Sequence, residues 1–105
     1  MKQFTAEYTD EAMEQYNKLD FKDQAKILEA ISTFEQIGIN YKNLNSLGNG
    51  LFEIKPKGVR AYFKYAENKI IIIGFITLKK TQKAPKRYIK QAITNIENYI
   101  NKNKD

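Results

Sequence analysis

Apolar positions along this chain fall into two rhythms. Over residues 3–8 they alternate, with Phe4, Ala6 and Tyr8 against Gln3, Thr5 and Glu7, which predicts a half-buried strand. Helical spacing then takes over. Thr9 or Asp10 can cap a short helix bearing Ala12, Met13, Tyr16 and Leu19. Asp20 can cap a second, in which Ile27, Leu28, Ile31 and Phe34 recur and Gly38 provides a stop. These two helices are expected to form an antiparallel pair. The Asn-rich stretch "INYKNLNSLGNG" reads as loop.

Alternation returns in three closely spaced strands, "LFEIK", "VRAYFKY" and "KIIIIGFI". The turn at residues 55–58 places Pro56 and Gly58 where a tight turn favours them, and "AENK" is compatible with a second hairpin. In the middle strand Val59, Ala61, Phe63 and Tyr65 face one way, and Arg60, Tyr62 and Lys64 the other. The isoleucines at 70–73 are apolar on both faces, as in a central strand. A last helix, with Pro85 at its first position, carries Ile89, Ala92, Ile93, Ile96 and Ile100 on one stripe. The expectation is an α+β fold of one domain, residues 1–105. It is a two-layer sandwich in the order β-α-α-β-β-β-α, with a mainly antiparallel four-stranded sheet, a helix pair over one face and a C-terminal helix. The basic residues then fall on the other face or along one edge.

Charge sharpens that picture. The net charge is +6, but residues 1–50 hold five basic and eight acidic side chains, whereas residues 51–105 hold thirteen and four. Such separation within one domain predicts a basic working surface, with nucleic acid the first partner to consider and an acidic protein segment the second. The competing explanation is a solvated basic face. The chain has no cysteine, which removes disulfides and thiolate metal sites and fits a reducing cytoplasm. It also has no histidine, so any catalysis must run on Lys, Arg, Tyr or carboxylates. No apolar signal region opens the sequence and no run is long enough to span a bilayer, so a cytoplasmic protein without a membrane partner is expected.

The basic residues gather in two groups. Lys55 and Lys57 bracket the first hairpin turn, with Arg60 and Tyr62 following on the face assigned to solvent. Lys79, Lys80 and Lys83 follow the last strand, and Lys86 and Arg87 open the final helix. That is the wrong end for cations, because a helix N-terminus carries partial positive charge. The same terminus offers unpaired N–H donors to an anion, so added cations repel one another when the site is empty and attract a phosphate. Simple solvation of these lysines is the alternative, at a penalty of about 0.3–1 kcal/mol. Arg60 beside Tyr62 gives the pairing of cation and aromatic that a single-stranded backbone and an exposed base require. Glu53 shares a strand face with Lys55 and is read as an ion-pair partner of Lys55 or Arg60. Tyr8, Tyr16 and Tyr65 are assigned to the core, and the sequence does not decide Tyr88 or Tyr99. No glycine-rich phosphate loop, nucleophile elbow or metal-ligand cluster is present in the sequence.

"GLFEIKPKGVRAYFKY", followed by an apolar strand and "GFITLKKTQKAPKRYIKQAITNI", resembles the RelE/ParE toxin superfamily, in particular its HigB-like, phage-associated branch. The match is specific over residues 50–92 and loose over the N-terminal half, where the order of elements and "FTAEYTDEA" agree. Lys55 stands where that branch usually has Arg, one extra residue falls between Phe75 and Lys79, and histidine is absent. The resemblance implies the toxin of a type II toxin–antitoxin pair. Such toxins enter the ribosomal A site and cut the mRNA there, without metal, by directing a ribose 2′-OH at its own phosphodiester.

By position, Lys55, Lys57 and Arg60 would hold the phosphate and its developing charge, and Lys57 or Tyr62 would be the general base. Lys79, Lys80 and Lys83, with Lys86 and Arg87, would contact RNA or the ribosome. The implied partners are an antitoxin, the ribosome and mRNA, and no metal or small-molecule cofactor is expected. The same fold also serves toxins that poison DNA gyrase without cutting RNA, and a relic that only binds its antitoxin is a third possibility.

Overall fold

A computed structural model describes residues 2–79 and 83–103. In chain order the elements are β1 (Thr5–Tyr8), α1 (Asp10–Asn17), α2 (Phe21–Ile37), a 3-10 turn (Gly38–Asn40), β2 (Leu44–Gly48), β3 (Leu51–Ile54), β4 (Val59–Ala66), β5 (Ile70–Leu78) and α3 (Lys86–Lys102). The sheet order is β1-β5-β4-β3-β2. β1 runs parallel to β5, and every other pairing is antiparallel. The α+β class and the sequence of the expected elements therefore hold.

Two particulars differ. The sheet has five strands, because residues 44–48 of the Asn-rich stretch pair with β3 rather than looping. A bulge between Ser46 and Gly48 breaks their period of two, which is why only Leu44 and Leu47 hinted at a strand. The second difference is that α3 covers the face opposite α1 and α2, so helices lie on both faces of the sheet.

Local chemistry explains the helix boundaries. Thr9 Oγ1 accepts the Ala12 N–H at 3.1 Å, and Asp20 Oδ1 accepts the Asp23 N–H at 2.9 Å, so α1 and α2 begin on side-chain caps. α2 stops at Gly38, whose φ of +58° suits glycine. Pro85 stands just before the first helical position of α3 and makes no side-chain cap. The hairpin between β4 and β5 turns through Asn68 and Lys69, both at positive φ, as a type I′ turn demands.

One core lies under α1 and α2. Ile27, Ala30, Ile31 and Phe34 of α2 meet Val59, Ala61 and Phe63 of β4 and Ile71, Ile73 and Ile76 of β5. Phe34 and Phe63 sit 5.1 Å apart, and Phe4 and Tyr65 close the cluster. The second core lies under α3, where Ala92 and Ile96 cover Leu51, Tyr62, Ile72 and Phe75. Fully burying each large side chain contributes roughly 1.5–3 kcal/mol.

Gly74 sets how closely α3 can approach. Tyr62 pairs with Phe75 and Phe63 with Ile73, so Gly74 is the extra residue of a bulge. Its carbonyl accepts from Asn95 Nδ2 of α3 at 2.9 Å, and Asn95 itself is buried. A Cβ on Gly74 would lie 2.5 Å from Ile96 Cγ1 and 2.8 Å from the Ala92 carbonyl oxygen. Beyond the end of β1, α1 closes the exposed edge of β5, with Gln15 Oε1 accepting the Ile76 N–H at 2.8 Å.

Gly74→Ala should therefore lower stability by about 1–3 kcal/mol, read as an earlier urea midpoint, because the Ala92 carbonyl is backbone and cannot move aside. Tyr8 gives a second test. Burial, reinforced by Glu35 and then Tyr16, raises its pKa from 10.0 to about 12. Its folded pKa exceeds the unfolded one, so its contribution to stability is complete below pH 10 and is lost as pH rises through about 12. Tyr8→Phe should make the fall in stability between those pH values shallower than in the wild type, measured by urea unfolding.

Candidate nucleic-acid interface

The sequence left cations at the wrong end of a helix, and the fold puts a cavity there. It has a volume of about 220 Å³ and is lined by Arg60, Tyr62, Thr77, Leu78, Pro85, Arg87 and Tyr88. α3 begins on this cavity with no side-chain cap and no acidic residue in its first turn. Its first N–H groups thus lack the usual side-chain acceptor, at a terminus with partial positive charge. Lys86 and Arg87 are both exposed.

An aromatic ladder forms one wall. Tyr62 stacks on Phe75 at 5.8 Å between ring centroids, Phe75 lies 4.9 Å from Tyr88, and Arg87 Cζ lies 4.8 Å above the Tyr88 ring. The ladder therefore runs from the buried sheet to an exposed guanidinium. Its outer end is a cation packed on a π-face.

Arg60 was expected on a solvent-facing surface, and this is corrected. The alternation was right, but the face carrying Arg60 and Tyr62 lies under α3, and their exposures are 2% and 0%. Arg60 Nη1 sits 3.5 Å from Glu53 Oε2, and Glu53 is equally buried. Of the two partners considered for Glu53, Arg60 is the one it takes. Asn45 Nδ2 donates to the other Glu53 oxygen at 3.2 Å.

Burial pushes the Tyr62 hydroxyl above its ordinary pKa of 10.0. Arg60 beside it pulls the other way, and Glu53 adds to the rise. At neutral pH the phenol is therefore protonated. The phenol lines the cavity with its oxygen buried.

The remaining candidates separate. Lys55 is half-buried beyond the end of β3. Lys57 is exposed and borders a different groove, shared with Lys26, Glu29 and Thr33 of α2. The expected convergence of Lys57 with Arg60 is therefore not found, because the turn at 55–58 carries Lys57 to the α2 side. Lys79 is exposed, and its N–H bonds the Gly58 carbonyl at 2.9 Å, tying the end of β5 to that turn. Lys83 is exposed. Lys79, Lys83 and Lys86 each lie within two residues in sequence of a cavity-lining residue. Lys80 lies outside the described residues.

Thr77 carries no signal in the sequence, and Tyr88 is one of the two tyrosines the sequence leaves undecided. Thr77 is opposite Arg60 in the β4–β5 register, which correct strand pairing would have exposed. Tyr88 needed the position of α3. Tyr99, also undecided, donates its hydroxyl to Glu7 Oε1 at 2.7 Å and ties α3 to β1. Among the described residues no cluster of three or more His, Cys, Asp or Glu could hold a metal ion, and no helix is long and apolar enough to cross a membrane.

Residues 14–97 match the family described as phage-derived protein Gp49-like (DUF891). The chain belongs to this Gp49-like family. No curated protein matches it at a significant level. Among solved structures, E. coli toxin RelE in a mutant, free state superposes with a TM-score of 0.68 at 12% identity, covering 91% of this chain and 99% of that one. The isolated E. coli RelE toxin gives 0.61 at 12% identity, covering 89% and 98%. The RelBE2 toxin–antitoxin complex from Mycobacterium tuberculosis gives 0.63 at 16%, covering 72% and 98%. The Gp49-like chain thus has the fold of RelE toxins.

The burial of Arg60 makes its truncation a test of stability. Arg60→Ala should cost about 3–5 kcal/mol in urea unfolding, because it leaves the Glu53 carboxylate buried without its cation. Adding Glu53→Leu to the same chain should restore much of that loss.

Proposed function

We propose that this Gp49-like chain is the toxin of a type II toxin–antitoxin pair and acts as a ribosome-dependent mRNA endoribonuclease. The observation that carries the reading is the cavity lined by Arg60, Tyr62, Arg87 and Tyr88 at the start of the 17-residue helix α3, whose N-terminus has no side-chain cap. Donors and positive charge converge there on a space that suits a phosphodiester. The RelE fold, and a neighbour solved as a toxin–antitoxin complex, favour the same reading.

In the proposed reaction a ribose 2′-OH attacks the adjacent phosphorus. The O2′–P bond forms and the P–O5′ bond breaks, leaving a 2′,3′-cyclic phosphate and a 5′-OH. The 2′ proton passes to water as the nucleophile attacks, and water delivers a proton to O5′, so the reaction is a net transesterification. Because the RNA supplies the nucleophile, the protein contributes orientation and charge stabilisation, and no metal is invoked. Arg60, at the cavity wall with the Tyr62 ring beside it, stabilises the negative charge that develops on the phosphoryl oxygens. Arg87 and Tyr88 engage the neighbouring phosphate and base, while Lys79, Lys83 and Lys86 hold the flanking backbone. The protein partners in this reading are an antitoxin and the ribosome, which places its action in the cytoplasm.

The test is 5′-end mapping of a reporter mRNA in cell-free translation, beside a ribosome-free control. New ends within codons are expected only while ribosomes translate. Arg87→Ala should reduce them about tenfold or more without lowering the unfolding midpoint, since Arg87 is exposed. Intact mRNA together with blocked DNA supercoiling would transfer the reading to gyrase inhibition.

A further inference from the structure

The apolar stripe of α3 holds the helix to the sheet without fixing its place along the axis. Ile89, Ala92, Ile93, Ile96 and Ile100 recur every three or four residues, so a shift of four replaces Ile89 by Ile93 and Ile96 by Ile100. Burial of such a surface is non-directional. A directional contact is needed to set the register, and this face supplies one. Asn95 is 2% exposed. Its Nδ2 donates to the Gly74 carbonyl at 2.9 Å, and its Oδ1 accepts from Gln91 Nε2 at 2.7 Å.

Each half of this relay has a reason. Gly74 is the extra residue of the β5 bulge, which the ladder of strand hydrogen bonds leaves out. Asn95 supplies a donor to its carbonyl. Gln91, one helical turn earlier, occupies the amide oxygen, so the amide turns its NH2 group to the sheet.

The same two elements meet again at the cavity. Phe75 follows Gly74 in β5, and its ring lies 4.9 Å from that of Tyr88. Tyr88 precedes Asn95 by seven residues and shares its side of the helix. Arg87 packs on the Tyr88 ring at 4.8 Å. Two helical turns, about 10 Å, thus separate the Asn95 contact from the cavity wall, and a helix carries a slip or rotation at one to the other.

We propose that Asn95, oriented by Gln91, is the positioning residue that sets the register of α3 on β5 and so places Arg87 and Tyr88 at the cavity. Leucine, of similar size, would extend the apolar core at this position. Fixing the register of packed elements is the best-attested use of a single buried asparagine. Neither Asn95 nor Gln91 lines the cavity. The proposal rests on the nuclease reading for the reaction that the placement serves, but not for the contact itself.

Two variants test it. Asn95→Leu keeps the volume and removes both hydrogen bonds. Gln91→Ala removes only the donor that orients the amide, and Gln91 is exposed, so this variant keeps its fold. Urea unfolding gives the folded fraction of each. Nuclear Overhauser contacts between the Tyr88 and Phe75 rings report the placement of α3 in the free protein, whether or not it cuts RNA. Single-turnover cleavage of mRNA on programmed ribosomes, over a range of protein concentrations, separates the maximal rate from the half-saturating concentration.

The wild-type rings should give one set of strong cross-peaks. These should weaken or double in Asn95→Leu and, to a lesser extent, in Gln91→Ala. The maximal rate per folded molecule should fall about tenfold or more in Asn95→Leu and less in Gln91→Ala, with the half-saturating concentration changed far less. A merely structural role would lower the folded fraction but leave the ring contacts and the rate of the folded molecules unchanged, which would overturn the proposal. Where Asn95→Leu does not fold, Gln91→Ala decides, and unchanged ring contacts there overturn it equally. Ring contacts that respond in a protein whose wild type cuts no mRNA would keep the positioning role and discard the nuclease reading.

Discussion

The docking of α3 onto Gly74 is the contact on which the rest of the molecule depends. A bulge in β5 places a residue without a Cβ where the helix backbone comes closest, and Asn95 fixes the depth through the Gly74 carbonyl. This approach turns the second face of the sheet from a solvated surface into a core. It buries Tyr62, Arg60 and Glu53, and it brings the first turn of α3 to the end of β5. The bulge also resets the alternation, so that Phe75 joins Tyr62 under α3 while Ile76 turns to α1 and α2. One glycine thereby fixes the core and the position of the cavity together.

That geometry resolves the conflict at the start of α3. Uncapped N–H groups and first-turn cations raise the energy of the empty protein, each by tenths of a kcal/mol at an exposed position. The penalty is small because Lys86 and Arg87 extend into water. A bound phosphate converts the same groups into attractions, and it would do so against Arg60, whose desolvation strengthens any charge interaction it makes. In the proposed reading an exposed rim and a buried floor divide the work: the rim would draw a polyanion in, and the floor would act at short range on one phosphate.

Much of this was legible in the sequence, and the failures have physical causes. The strand faces of "VRAYFKY" were assigned correctly, since Val59, Ala61 and Phe63 join the α2 core and Tyr62 the opposite one. The error was to equate the opposite face with solvent. The amphipathic pattern of α3 says that it packs against something, not which face it chooses. β2 escaped notice because its bulge and its Asn, Ser and Gly residues hide a strand that needs only edge pairing. Lys57 could not be assigned because a turn residue has no periodicity to reveal its side, and it came to lie with α2 instead of Arg60. The caps at Thr9 and Asp20 were readable because capping is local chemistry.

Stability alone does not call for the buried pair of Glu53 and Arg60. Replacing such a pair with apolar residues of similar volume is often neutral or favourable by about 1–4 kcal/mol, and this face already has Leu51, Ile72 and Ile96 as the nucleus of an apolar core. A chain shaped for stability alone would extend that core to the cavity. Instead it carries an ion pair to the cavity floor, with Asn45 contacting the carboxylate from the edge strand and the Tyr62 phenol held protonated beside it. A local departure from the stable choice, uncompensated by packing and coincident with a cavity, is the pattern expected where function and folding compete for the same side chains.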